Sequence, residues 1–215
     1  MFASRQDAGR KLGLHLQELG VKAEVVAGLP RGGVVVAAEV ADMLQCPLDV
    51  LVVRKIGHPW HREFAVGAIA EEDVLILDRD AIAAAPLAEG ELEAVLEEEK
   101  QRLREYCRKF QGLRKPHFAG SRVLLVDDGL ATGATAEAAI YSARKKQVRE
   151  VMLAVPIAST SAFDRLAAIA DQVIAYRTDP DFCAVGQYYK RFQATTDEEV
   201  LALLHRQRSD YGHAA

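Results

Sequence analysis

A chain of 215 residues, half of them apolar, can bury a full core as one generous domain or as one domain with a small appendage. Its 27 basic and 31 acidic side chains give a net charge of −4 with no long basic tract, which argues against a dedicated nucleic-acid binder. Cys46, Cys107 and Cys183 are widely spaced and suggest neither a disulfide framework nor a zinc site, and no stretch approaches a membrane span. With Arg5, Asp7, Arg10 and Lys11 preceding any apolar run, the expectation is a cytoplasmic protein.

Ser4 with Asp7 three residues later opens a helix that runs to about Leu19 and closes at Gly20. A strand around Ala23 to Ala27 leads through Gly28-Leu-Pro-Arg-Gly-Gly33 into a helix from about Val34 to Leu44, and Leu48 to Val53 reads as the next buried strand. Two short apolar runs, Val66 to Ala70 and Val74 to Leu77, flank Glu71-Glu-Asp73 and predict a hairpin. Glu91 to about Gln111 reads as a long solvated helix laced by pairs such as Glu98 with Arg102. A strand at 122–126, a helix at about 134–146, a strand at 150–155, a helix capped by Ser159 and a strand at 172–176 complete the pattern. Strand and helix alternate in this way when right-handed crossovers build a parallel sheet, with ligands at the carboxyl ends of the strands.

The most informative segment is Val123-Leu-Leu-Val-Asp127-Asp128-Gly129-Leu-Ala131-Thr132-Gly133-Ala134-Thr135. The strand is branched and apolar throughout, so both its faces are covered. Adjacent acids at its end can accept hydrogen bonds from vicinal hydroxyls or hold a divalent cation among waters and ligand oxygens. Backbone N–H groups, two threonine hydroxyls and a helix start then favour a phosphate. Sugar hydroxyls and phosphate meet at one loop. Singly these are ordinary turn residues; their order and spacing carry the reading. Gly28 to Gly33 opens a helix at a strand end, where two glycines allow close backbone approach and Arg31 adds a forked charge. Arg54 and Lys55, followed by Gly57, His58, Pro59 and Trp60, read as a cationic hinge after the second strand. The loop spacing of His58, His61 and Glu63 matches no metal pattern.

The 127–135 segment resembles the signature of type I phosphoribosyltransferases, in the form found in adenine-type members. The Pro30 to Gly33 loop and the Arg54-Lys55-x-Gly57 run resemble that family's diphosphate loop and the border of its mobile loop. The resemblance covers roughly Val25 to Tyr176 and implies an α/β, parallel-sheet phosphoribosyltransferase fold over residues 1–215. Helices would cover both faces, and a small hood would come from parts of 64–115 and 180–215. It implies that Asp127 and Asp128 contact ribose hydroxyls and waters of a Mg²⁺ ion, while Ala131 to Thr135 cradle the 5-phosphate and Gly129 adjoins the bound substrate. Pro30, Arg31, Gly32 and Gly33 would face the diphosphate across a cis peptide, and Arg54 and Lys55 would neutralise it as it leaves. Arg31, Lys55 and Asp128 are then the expected catalytic residues, with 5-phosphoribosyl 1-diphosphate and a nitrogenous base as substrates of a homodimer. Members that act on hypoxanthine and guanine usually carry Asp where this chain has Ala131, and a methyl group cannot handle a purine proton. The aromatic tail from Asp181 to Tyr189 could stack on a flat acceptor or only anchor the fold. A non-catalytic sensor of phosphoribosyl diphosphate or a nucleotide is the alternative.

Overall fold

The computed structural model describes residues 1–62, 64–85, 90–111 and 118–211. In chain order the elements are α1 (Arg5–Glu18), β1 (Val25–Gly28), α2 (Gly32–Leu44), β2 (Leu48–Val50), β3 (Val53–Gly57), β4 (Ala65–Ala70), β5 (Val74–Leu77) and α3 (Arg79–Ala84). There follow α4 (Glu91–Gln111), β6 (Arg122–Val126), α5 (Ala134–Lys145), β7 (Glu150–Ser159), α6 (Thr160–Ala167), β8 (Gln172–Asp179), a 3-10 turn over Val185–Tyr188 and α7 (Asp197–Tyr211). Five strands form a parallel sheet in the order β2-β1-β6-β7-β8, and β3-β4-β5 form a separate antiparallel sheet.

Period-two alternation sorts the parallel sheet's side chains between two cores. On one face Val26, Leu124, Val126, Met152 and Ala154 pack with α1, α2 and α7; on the other Val25, Ala27, Leu125, Leu153 and Val155 pack with α5 and α6. Because both faces are covered, the strands need no polar positions, and this explains the unbroken branched run of β6. Ser4 caps α1 as expected, its Oγ accepting the Asp7 N–H at 3.3 Å, and Ser159 caps α6.

Two expectations need correction. Leu48 to Val53 is not one strand: β2 stops at Val50, Leu51 and Val52 cross between the sheets, and β3 begins at Val53. Both crossing residues are fully buried, and their N–H groups bond to the Gly28 carbonyl and to Glu71 Oε1 at 3.2 and 2.6 Å. Apolarity persists through the break because tertiary partners satisfy the backbone there. Arg54 and Lys55 consequently stand inside β3, paired with Ile69 and Ala68, and not in a hinge. The second correction concerns α4, whose outer surface carries the expected Glu98–Arg102 pair at 2.6 Å but whose inner face buries Val95, Glu99, Leu103 and Phe110. The hairpin is present as β4 and β5, and parts of the expected hood, 86–89, 112–115 and 212–215, lie outside the described residues.

Candidate active site

β1 and β6 are neighbours in the sheet, so the loops leaving their carboxyl ends lie side by side. Glycine sets their separation. A methyl group at Gly32 would overlap Asp128 Oδ2 and Arg5 Nε, and one at Gly33 would sit 2.8 Å from both Asp127 Oδ1 and the Val126 carbonyl. The peptide between Pro30 and Arg31 is cis, as the family resemblance implied. Beyond the acids the chain passes Leu130, which bridges to Ala158, and enters α5 through Gly133 at φ 76°, a left-handed conformation suited to glycine.

The two carboxylates have different neighbours. Asp127 Oδ1 accepts the Asp128 N–H at 2.8 Å, and Asp127 makes no ion pair among the described residues. Asp128 Oδ2 accepts from Arg5 Nε at 2.7 Å, with the two side chains only 12% and 15% exposed. The same guanidinium donates to the Gln193 carbonyl at 2.7 Å and stacks 3.9 Å from the centroid of Phe192. Burial pushes both acids above the ordinary carboxylate range; the charge of Asp128 raises Asp127 further, whereas Arg5 restrains Asp128. Tyr189 donates its hydroxyl to the Asp128 carbonyl at 2.6 Å, and burial raises its phenol as well.

Asp127, Thr135, Leu29 and Pro30 line one side of a cavity of about 450 Å³. β3 contributes Val53, Arg54, Lys55 and Gly57, the following turn contributes Arg62, and α4 contributes Glu98, Glu99 and Arg102. Among the described residues, four cations thus face three carboxylates, and no aromatic ring lines the space. Arg54 is held by Glu99 at 2.8 Å and lies 4.9 Å from the Tyr106 ring centroid; Arg62 meets Glu98, and Arg102 meets both glutamates. Such a wall suits a polyanionic group.

Five of the expected residues, Pro30, Arg54, Lys55, Asp127 and Thr135, therefore meet at one cavity. Arg31 lies elsewhere, 3.5 Å from Asp197, which Lys109 also contacts at 2.6 Å. The aromatic tail reaches the acids through Tyr189, and a methyl at Gly129 would press on Val185. His58 is structural: its Nδ1 accepts the Trp60 N–H at 3.2 Å, leaving Nε2 to donate to the Ala85 carbonyl at 3.3 Å. Arg5, Arg62 and Glu99 carry no assigned role in the sequence, and Glu98 and Arg102 are read there only as a solvent-facing ion pair of the long helix. The i, i+3 and i+4 spacings of Glu98, Glu99 and Arg102 were the available signal for those three.

A five-stranded parallel sheet with an acid-and-threonine loop at one central strand end and a glycine loop at the next defines an α/β domain with its candidate ligand loops at the carboxyl ends of the strands. The model of the phosphoribosyl transferase domain matches residues 3–174, and the chain belongs to that family. It is 45% identical over 218 residues to a Mycobacterium tuberculosis protein named "Putative phosphoribosyl transferase"; that match takes in 100% of this chain and 48% of the relative. The chain thus spans about half the length of the curated relatives it matches. Among solved structures, TT1426 from Thermus thermophilus is 44% identical with a TM-score of 0.77, covering 96% of this chain and 99% of that one. AQ2163 from Aquifex aeolicus, at 13% identity and a TM-score of 0.50 over 81% of this chain and 74% of that one, shares the fold.

Proposed function

We propose that this domain transfers the 5-phosphoribosyl group from 5-phosphoribosyl 1-diphosphate to a nitrogenous base or similar acceptor, releasing diphosphate. The observation that carries the reading is Asp127: a half-buried carboxylate with no ion pair among the described residues, opening onto a cavity that also holds Lys55, Arg54 and Thr135. A carboxylate so placed is incomplete without hydroxyl or metal-water donors. Asp127 and Asp128 hold the ribose hydroxyls, the 131–135 loop holds the 5-phosphate, and Pro30 to Gly33 with Lys55 hold the diphosphate. As the bond between C1 and the diphosphate oxygen lengthens, positive charge grows on the ribose ring beside the acids and negative charge grows on the leaving group beside Lys55 and Arg54. The acceptor nitrogen then bonds C1 and loses its proton to solvent or to diphosphate. Mg²⁺ fits this donor set, because it is commonly held by one or two carboxylates with phosphate oxygens and water; bound there it would share the neutralisation of diphosphate. The family resemblance supports a homodimer working in the cytoplasm on small molecules. No helix among the described residues is long and apolar enough to cross a membrane.

Arg31 favours a second reading. Its pairing with Asp197 turns a cation of the diphosphate loop toward α7, as would suit a protein that senses the donor without turnover. An assay of diphosphate release with donor, Mg²⁺ and a panel of purines, pyrimidines and other heterocycles decides between them. Release with at least one acceptor is expected. Tight Mg²⁺-dependent donor binding with no release on any acceptor would favour the sensor, and absence of donor binding would overturn both readings.

A further inference from the structure

Three successive carbonyls of the loop that precedes α5 are drawn to one side. The Leu130 carbonyl accepts the Ser159 N–H at 2.8 Å, the Ala131 carbonyl accepts the Ser159 hydroxyl at 2.7 Å, and the Thr132 carbonyl accepts Arg165 Nη2. In a trans peptide the carbonyl and the following N–H point in opposite directions. Fixing these carbonyls therefore turns the N–H groups of Ala131, Thr132 and Gly133 the other way. None of the three has an acceptor among the described residues. Arg165 is itself aimed by a second contact, since Nη1 bonds to Glu137 in the first turn of α5. Ser159 is doubly committed, because its Oγ also accepts the Ala162 N–H at 3.1 Å and caps α6.

We infer that Ser159 and Arg165 are positioning residues for 5-phosphate recognition, acting through the Ala131 and Thr132 carbonyls to present the loop's N–H groups to the ligand. The inference rests on the phosphoribosyl reading of the loop. It gives α6 a task beyond covering the sheet. Arg165 has committed both terminal nitrogens to Glu137 and the Thr132 carbonyl, so its contribution is geometric, and a lysine with one nitrogen could not make both contacts with the same fork.

Arg165→Met is the informative variant, because the side chain is 46% exposed and its loss leaves both cores intact. Calorimetric titration of wild type and variant with ribose 5-phosphate, and separately with Mg²⁺ and inorganic diphosphate, reads the two subsites independently. The expected result is a roughly 5- to 20-fold weaker affinity for ribose 5-phosphate, the size of one to two hydrogen bonds that are no longer well aimed. Diphosphate affinity should stay within twofold. The titration is repeated at about 50 and 500 mM KCl, since screening weakens a direct guanidinium–phosphate attraction but leaves loop geometry unchanged. A loss that persists at high salt supports positioning. A loss that disappears there, an equal loss for diphosphate, or no loss at all overturns it. Ser159→Ala, whose fold is checked by its thermal midpoint, should reproduce the selective loss. Wild-type protein that binds diphosphate but not ribose 5-phosphate would remove the phosphoribosyl reading itself, and this inference with it.

Discussion

Replacing Arg5 with methionine isolates the balance that holds the paired acids. The apolar stem can still pack, whereas the 2.7 Å contact with Asp128 is lost. Removing one partner of a buried ion pair costs about 3–5 kcal/mol, and the lower end applies because the two side chains keep 12% and 15% exposure. Loss of the stack on Phe192 and of the bond to the Gln193 carbonyl adds about 1 kcal/mol. A destabilisation of about 3–4 kcal/mol at pH 7.5 follows, or a fall of about 6–16 °C in Tm for a chain of this size. The pH dependence is the sharper signature. Asp128 already titrates above its unfolded value because it is buried, and without Arg5 it should climb further. A carboxyl raised on folding makes the native state bind more protons across that window, so stability falls as pH rises through it. The deficit of the variant should accordingly shrink on acidification, towards the roughly 1 kcal/mol of the lost Phe192 and Gln193 contacts, below about pH 4, the ordinary range of an unfolded aspartate. Urea denaturation at pH 7.5 and 4.5 checks this, and Asp128→Asn in the Arg5→Met background should recover most of the loss at pH 7.5. A deficit equal at both pH values, or one not relieved by the second substitution, would refute the electrostatic account.

Asp127→Asn should raise the unliganded midpoint at neutral pH, since an amide removes a poorly solvated charge beside Asp128, and should abolish the stabilisation by donor plus Mg²⁺, worth about 2.7 kcal/mol at a hundredfold excess over Kd. Differential scanning calorimetry with and without both ligands reads both effects; a lower unliganded midpoint would contradict the first. Lys55→Ala should reduce kcat by about 10²-fold while changing donor affinity much less, because a cation beside the departing group matters most in the transition state; diphosphate release compared with donor binding measures the split. Thr132→Val should weaken ribose 5-phosphate by about 1.5–3 kcal/mol, the range for a hydrogen bond to a charged group, and calorimetric titration showing unchanged affinity would remove that hydroxyl from the phosphate loop.

The parts of the molecule legible in the sequence were those whose signals are local. β6 and its acid-and-threonine loop, the glycine loop before α2 and the serine caps each lie within fourteen residues or fewer, and each is found where expected. The break at Leu51 and Val52 left no trace, because a buried crossing needs the same apolar residues as a buried strand. Arg5 was unreadable for another reason. It sits in the first turn of an ordinary capped helix, and the partner that gives it meaning is 123 positions away. In α4 the charges masked a stripe formed by Leu92, Val95, Leu96, Leu103, Tyr106 and Phe110, whose spacing is helical and was available to find. The burial of Glu99 within that stripe depends on Arg54 from β3, which only the folded chain supplies.

The pairing of β1 with β6 has a kinetic consequence. Val25 is registered against Val123, and the adjoining Glu24 carboxylate accepts the Arg122 N–H across 98 positions of sequence. Closing so long a segment is entropically unfavourable and comes before any of the contacts that reward it, so local helices outrun this step. The proposed diphosphate loop, Pro30 to Gly33, follows β1, and the proposed ribose and phosphate loop, Asp127 to Thr135, follows β6, so the two lie on opposite sides of that closure. During refolding from urea, helical circular dichroism should recover before the capacity to bind the phosphoribosyl diphosphate donor, because a chain that has regained its helices still keeps the two loops apart until two distant strands have found each other.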